Sequence, residues 1–202
     1  MRTKLFLTAV ALLGYIGFAS AAPINFTFLE NGTGPLGTSS TFLESGVSIT
    51  AYSSPGETLY GKNDGPGETG LGTASDSEHE INPNNYVQLN VVTSPIMKIT
   101  TLFFGSIQTS TLGERADIYY STSLGSLGLL LGSVSGLGSG VTGSFDVSGL
   151  GYTSGYYNIT GGVGNIVFAG VTVDSVPDAA STAALLGGTL ASLGLVRRKL
   201  MV

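Results

Sequence analysis

The sequence predicts an all-β fold, an antiparallel β-sandwich, and three observations carry that expectation. Short apolar or alternating runs recur between turn signals, Thr, Val, Ile, Tyr and Phe are plentiful, and no segment between the two ends carries a helical apolar stripe longer than two turns. Strands are expected at 24–29, 47–52, 86–92, 96–104, 116–121, 144–147, 155–160 and 165–174. In the third of these Val87, Leu89 and Val91 share one face while Tyr86, Gln88 and Asn90 share the other, the period of two that a half-buried strand requires. The acidic, glycine-rich stretch 53–85 reads as one long loop, of a length that is usually functional or ordered by a ligand. The Gly-, Ser- and Leu-rich tract 124–140 reads as a loop or a frayed strand pair.

Composition narrows the functional classes. A chain of 202 residues fits one domain with appendages, since single cores form at about 100–200 residues. Its 31 glycines lack a G-X-Y repeat, which excludes collagen. No cysteine, no tryptophan and one histidine make a poor stock of catalytic and metal-binding groups. The missing cysteines exclude a disulfide scaffold but leave export open, because a sandwich of about 150 residues buries enough surface without staples. The net charge of −5 conceals an uneven distribution: five of the eight basic residues lie in the terminal segments. Residues 22–174 hold 12 acidic residues against Lys62, Lys98 and Arg115, a net of −9. Such a field repels phosphates, so nucleic acid is not an expected partner.

Each end has the layout of a targeting segment. Arg2 and Lys4, an apolar run from Leu5 to Phe18, and the small residues Ala19, Ser20 and Ala21 form a signal peptide over 1–21, with cleavage expected between Ala21 and Ala22 by signal peptidase. The apolar run is short for an uncleaved anchor in a ~30 Å hydrocarbon core. At the other end, residues 175–202 contain Val176-Pro177-Asp178, an uncharged run over 179–196, and the basic triplet Arg197, Arg198 and Lys199. As a helix that run spans ~27 Å, enough to cross a bilayer, and the triplet would hold its end in the cytoplasm. Small residues among its leucines would let it pack closely against a membrane partner. The mature domain is then 22–174.

The order Val176-Pro177-Asp178, Ser181-Thr182, Leu185-Leu186-Gly187 and Arg197-Arg198-Lys199 resembles the C-terminal sorting tags of the PEP-CTERM class, most closely the VPDSG-CTERM variant. Ala179-Ala180 depart from the Ser/Gly or Gly pair more usual there. The resemblance implies that an exosortase-like membrane protease or transpeptidase recognises the motif, processes the chain near it, and delivers an inner-membrane-anchored precursor to the cell surface or beyond. A second resemblance runs over 70–128, carried by Gly70-Leu71-Gly72, Asp76-Ser77-Glu78-His79-Glu80-Ile81-Asn82, Phe104-Gly105-Ser106-Ile107-Gln108, Ala116-Asp117-Ile118-Tyr119 and Leu124-Gly125-Ser126-Leu127-Gly128. It is similar to secreted PEP-CTERM β-sandwich proteins, which implies a jelly roll of galactose-binding-like or carbohydrate-binding type. The expected function is a non-enzymatic component of an exopolysaccharide-rich, biofilm-type surface layer; the alternative is a calcium-stabilised, lectin-like module that binds extracellular polysaccharide.

Few residues offer chemistry. Asp76, Glu78 and Glu80 alternate, so in an extended segment their carboxylates face one side, where a calcium ion with six to eight oxygen ligands would relieve their repulsion. The alternative is a solvated acidic loop. A weaker site would pair Glu30 with Asp174, since a jelly roll brings its first and last strands together. His79 is the sole histidine, no serine lies in a G-x-S-x-G elbow, and no catalytic residue is expected. Gly138-Ser139-Gly140-Val141-Thr142-Gly143 matches G-x-G-x-x-G only by letter, without the strand and helix that cradle phosphate. Tyr52, Tyr60, Tyr86, Tyr119, Tyr120, Tyr152, Tyr156 and Tyr157 are either a sugar-stacking platform or half-buried sheet residues.

Overall fold

In the computed structural model, residues 22–28, 32–75, 77–90, 97–108, 113–136, 142–152, 154–175 and 187–188 are described. The expected signal segment 1–20, the expected sorting motif Val176, Pro177 and Asp178, the run 179–196 apart from two residues, and the triplet Arg197, Arg198 and Lys199 lie outside them, as does Ala21; Ala22 is described and exposed. Among the described residues no helix is long and apolar enough to cross a membrane.

Among the described residues thirteen strands follow one another: β1 (Ile24–Phe26), β2 (Gly34–Gly37), β3 (Ser39–Glu44), β4 (Val47–Ser53), β5 (Leu59–Asn63), β6 (Thr69–Thr73), β7 (Val87–Asn90), β8 (Met97–Gly105), β9 (Arg115–Ser121), β10 (Leu129–Ser135), β11 (Gly143–Asp146), β12 (Tyr156–Val163) and β13 (Val167–Ser175). They form two antiparallel sheets. The first runs β11-β8-β13-β6-β5-β2, with β1 also on β13; the second runs β10-β9-β12-β7-β4-β3. The fold is therefore all-β, as the alternating runs predict. All eight expected strands are present, although Leu29, Val91, Val92 and Ile96 at their ends lie outside the described residues.

Alternation decides which side chains enter the core. In β4, Val47, Ile49 and Ala51 point inward, and in β7 Val87 and Leu89 do the same. Phe28, Phe42, Phe104 and Phe168 are essentially inaccessible; Phe28 packs edge-on against Phe42 with ring centroids 4.9 Å apart and tilts over Phe168 at 5.1 Å. Side chains from both sheets thus meet in one apolar cluster. Truncating a buried phenylalanine to alanine in such a core costs about 3–5 kcal/mol.

Two regions read differently from the sequence. The stretch 53–85 is not a single loop, because it contains β5 and β6. Glycine depresses strand propensity, but a Cβ at Gly61 would overlap the carbonyl of Gly32, and one at Gly72 would overlap that of His79. These strands carry glycine so that neighbouring backbone can lie directly on them. Of the alternatives for 124–140, a strand forms at β10, paired along β9, while β2 and β3 were not anticipated. The first and last strands do meet, Ile24 opposite Val173. Asp174 lies opposite Lys98 on β8; Glu30 is outside the described residues.

Candidate functional site

Among the described residues a concavity lies on the outer face of the second sheet, where β9 and β12 run side by side. Inward-facing Ala116, Ile118 and Ile159 hold these strands on the core, so Asp117, Tyr119 and Thr160 face outward by the period of two. The register places Thr160 opposite Asp117 and slips between Gly161 and Val163. At that slip a Cβ on Gly162 would overlap the Asp117 carboxylate, so the bulge can pass beside the acid only because residue 162 is glycine. The result is a cavity of about 270 Å³ with Asp117, Tyr119, Thr160, Gly161 and Gly162 among its lining residues.

Hydrogen bonds fix its walls. On one side lies 83–86: the Asn84 N–H donates to Asn82 Oδ1 at 2.9 Å, the Asn82 N–H to Asn85 Oδ1 at 2.9 Å, and Asn85 Nδ2 to Thr73 Oγ1 at 2.8 Å. Thr160 Oγ1 donates to the Asn82 carbonyl at 3.2 Å, tying this turn to β12. The Tyr86 carbonyl accepts from the Ser54 N–H at 2.9 Å. On the other side Leu127 is held by Asn158 Nδ2, which donates to its carbonyl at 2.7 Å, while Gln88 Nε2 donates to Ser126 at 3.0 Å. Two outward amides on neighbouring strands therefore clamp the loop 122–128 over the sheet.

The floor carries little unbalanced charge. Asp117 accepts from Arg115 Nε at 2.8 Å and Nη2 at 2.9 Å, a bidentate pair, and from Ser133 Oγ at 2.5 Å. The Asp117 side chain bonds hold the Arg115 guanidinium above its usual value. Burial pushes the Tyr86 phenol up, so it stays a neutral donor.

Of the anticipated metal residues, Glu80 falls elsewhere, against Lys62 on β5. Glu80 is buried and accepts from Lys62 Nζ at 2.5 Å, and the same ammonium lies 3.4 Å from Glu68 and 3.5 Å from Asp64. Glu78 is exposed and accepts from Asn165 Nδ2 at 3.0 Å; Asp76 is outside the described residues. Among the described residues no group of three or more His, Cys, Asp or Glu side chains is arranged to hold a metal ion. Burial opposes the charge on Lys62, but Glu80 and Glu68 outweigh it and raise its pKa; burial likewise raises that of Glu80, against the bond from Lys62. His79, at a φ of 56°, stacks on Tyr60 with centroids 3.8 Å apart.

The tyrosines divide. Tyr120 stacks on Tyr152 at 3.7 Å with Tyr157 edge-on to both, Tyr52 meets Tyr156 at 6.1 Å, and Tyr86 and Tyr119 line the cleft. Sequence reading named these last two but missed Asn84, Asp117, Leu127 and Thr160. The linear signal for Asp117 and Thr160 is the outward phase of β9 and β12, which does not reveal that 83–86, with Asn84, and the loop carrying Leu127 fold over it. No protein-family model, curated protein or solved structure matches the chain.

Proposed function

We propose that this chain is an exported, non-enzymatic surface protein, with a galactose-binding-like sandwich between a signal peptide and a C-terminal sorting signal that an exosortase-like system processes. The observation that carries this reading is the order Val176-Pro177-Asp178, uncharged run, Arg197-Arg198-Lys199 directly after a folded two-sheet domain. The pairing of Glu80 with Lys62 and of Asp117 with Arg115 supports a binding or structural role, because carboxylates so engaged are poorly placed for acid–base work. Fractionation tests it. The wild-type chain is expected at the cell surface or in the medium, and replacing Arg197, Arg198 and Lys199 with neutral residues is expected to strand it in the inner membrane. Identical distribution of both forms would contradict the reading.

A second reading is favoured by the cleft. Two tyrosines, an exposed amide and a threonine around a preformed cavity suit a saccharide, which makes the chain a lectin-like member of the exopolysaccharide layer.

A further inference from the structure

We infer that the cleft between residues 83–86 and Leu127 is a subsite for one uncharged pyranose ring, held against Tyr86 and Tyr119 with its hydroxyls bonded by Asn84 and Thr160. This rests on the saccharide-binding reading and specifies the class of saccharide. A cavity of about 270 Å³ is small for a ligand site, below the ~300 Å³ at which drug-sized pockets begin, and suits a single ring.

The chemistry of the lining excludes other ligands in turn. An anion would enter a domain of net charge −9 to meet Asp117, and the neighbouring cation Arg115 already holds that carboxylate. A cation finds that same carboxylate satisfied by Arg115 and Ser133. A purely apolar ligand would leave the phenol groups and the Asn84 amide desolvated without partners. A neutral polyhydroxylated ring meets all of these demands. Its C–H face packs on tyrosine, and its hydroxyls both donate and accept. Thr160 Oγ1 gives its proton to Asn82 and so faces a ligand as an acceptor, while Asn84 and the phenols supply donors. Because both walls are already hydrogen-bonded in place, little ordering accompanies binding.

The test uses the full chain in a zwitterionic detergent, since glucoside and maltoside detergents would compete. Saturation-transfer NMR and titration with methyl glucoside, methyl galactoside and methyl mannoside are run beside glucuronate. At least one neutral glycoside is expected to bind, and glucuronate to bind at least about tenfold more weakly. Tyr119→Ala and Tyr86→Ala are each expected to lose about tenfold. Tyr52→Ala, a tyrosine on the same sheet paired with Tyr156 outside the lining, is expected to change nothing. Asn84→Ala, at an exposed position, covers the event that a tyrosine variant fails to fold, and is expected to weaken binding likewise. Glucuronate binding as tightly as the neutral sugars would overturn the inference while leaving saccharide binding standing. Binding of none of them, or binding indifferent to Tyr86, Tyr119 and Asn84, would sink both.

Discussion

Lys62 and Glu80 form a buried ion pair 2.5 Å long on the outer face of the first sheet, each side chain only 5% exposed. It pins the segment leading into the cleft wall to β5, since Glu80 precedes Ile81, which bridges to Ile166, and the turn that begins at Asn82. Removing one partner strands the other's charge in a desolvated site. Lys62→Met is therefore expected to destabilise the fold by about 3–5 kcal/mol in denaturant unfolding, and Lys62→Met/Glu80→Leu to recover most of that loss. A single variant as stable as wild type would show that the pair is solvated.

The same pair gives the stability a pH signature. Both pKa values are raised on folding, so each contribution is complete below the unfolded-state value and fades as pH rises through the folded-state one. The window opens upward from 4.5 for Glu80 and from 10.5 for Lys62. Relative to the Lys62→Met/Glu80→Leu variant, wild type is expected to lose stability as pH climbs above 4.5 and again above 10.5. Parallel pH profiles would contradict these directions.

How much of this was legible follows from what each residue answers to. Val87, Leu89 and the apolar positions of β4 obey local alternation, so their strands could be read directly from the sequence. β5 and β6 could not, because Gly61 and Gly70 answer to backbone packed on them from distant segments and Gly72 to the backbone of His79, demands with no periodic trace. The alternation of the acids does not show which way each one turns. Glu80 turns into the protein toward Lys62, 18 positions earlier, whereas Glu78 stays outside with Asn165. Tyr86 and Tyr119 were visible as aromatic residues, but only the fold separates them from Tyr120, Tyr152 and Tyr157.

Calcium and magnesium are expected to raise the melting temperature equally, through screening of the acidic surface, with no calcium-selective component. The reason is that Glu80 is already bonded to an ammonium. A calcium-specific shift abolished by Glu80→Gln would contradict this and favour a calcium site at Asp76, Glu78 and Glu80.

Gly162→Ala would force the β12 bulge off the Asp117 carboxylate and disturb its pair with Arg115. A loss of about 1–3 kcal/mol is expected in thermal unfolding. An unchanged melting temperature would mean that the bulge moves freely and the cleft floor is not fixed.

Tyr157 is fully buried, and its hydroxyl has no hydrogen-bond partner among the described residues; burial pushes the phenol well above its ordinary value. Tyr157→Phe is expected to leave stability unchanged or raise it by about 1 kcal/mol, read as the denaturant midpoint. A clear loss would reveal a partner for the hydroxyl.

The proposal that the chain is exported and sorted is tested most directly by the intact mass of the protein recovered from the cell surface or medium. The expected mass corresponds to a chain that begins at Ala22 and lacks Arg197, Arg198 and Lys199, with its new C-terminus near Val176-Pro177-Asp178. A surface form that retains the whole C-terminal segment through Val202 would contradict processing at the sorting motif.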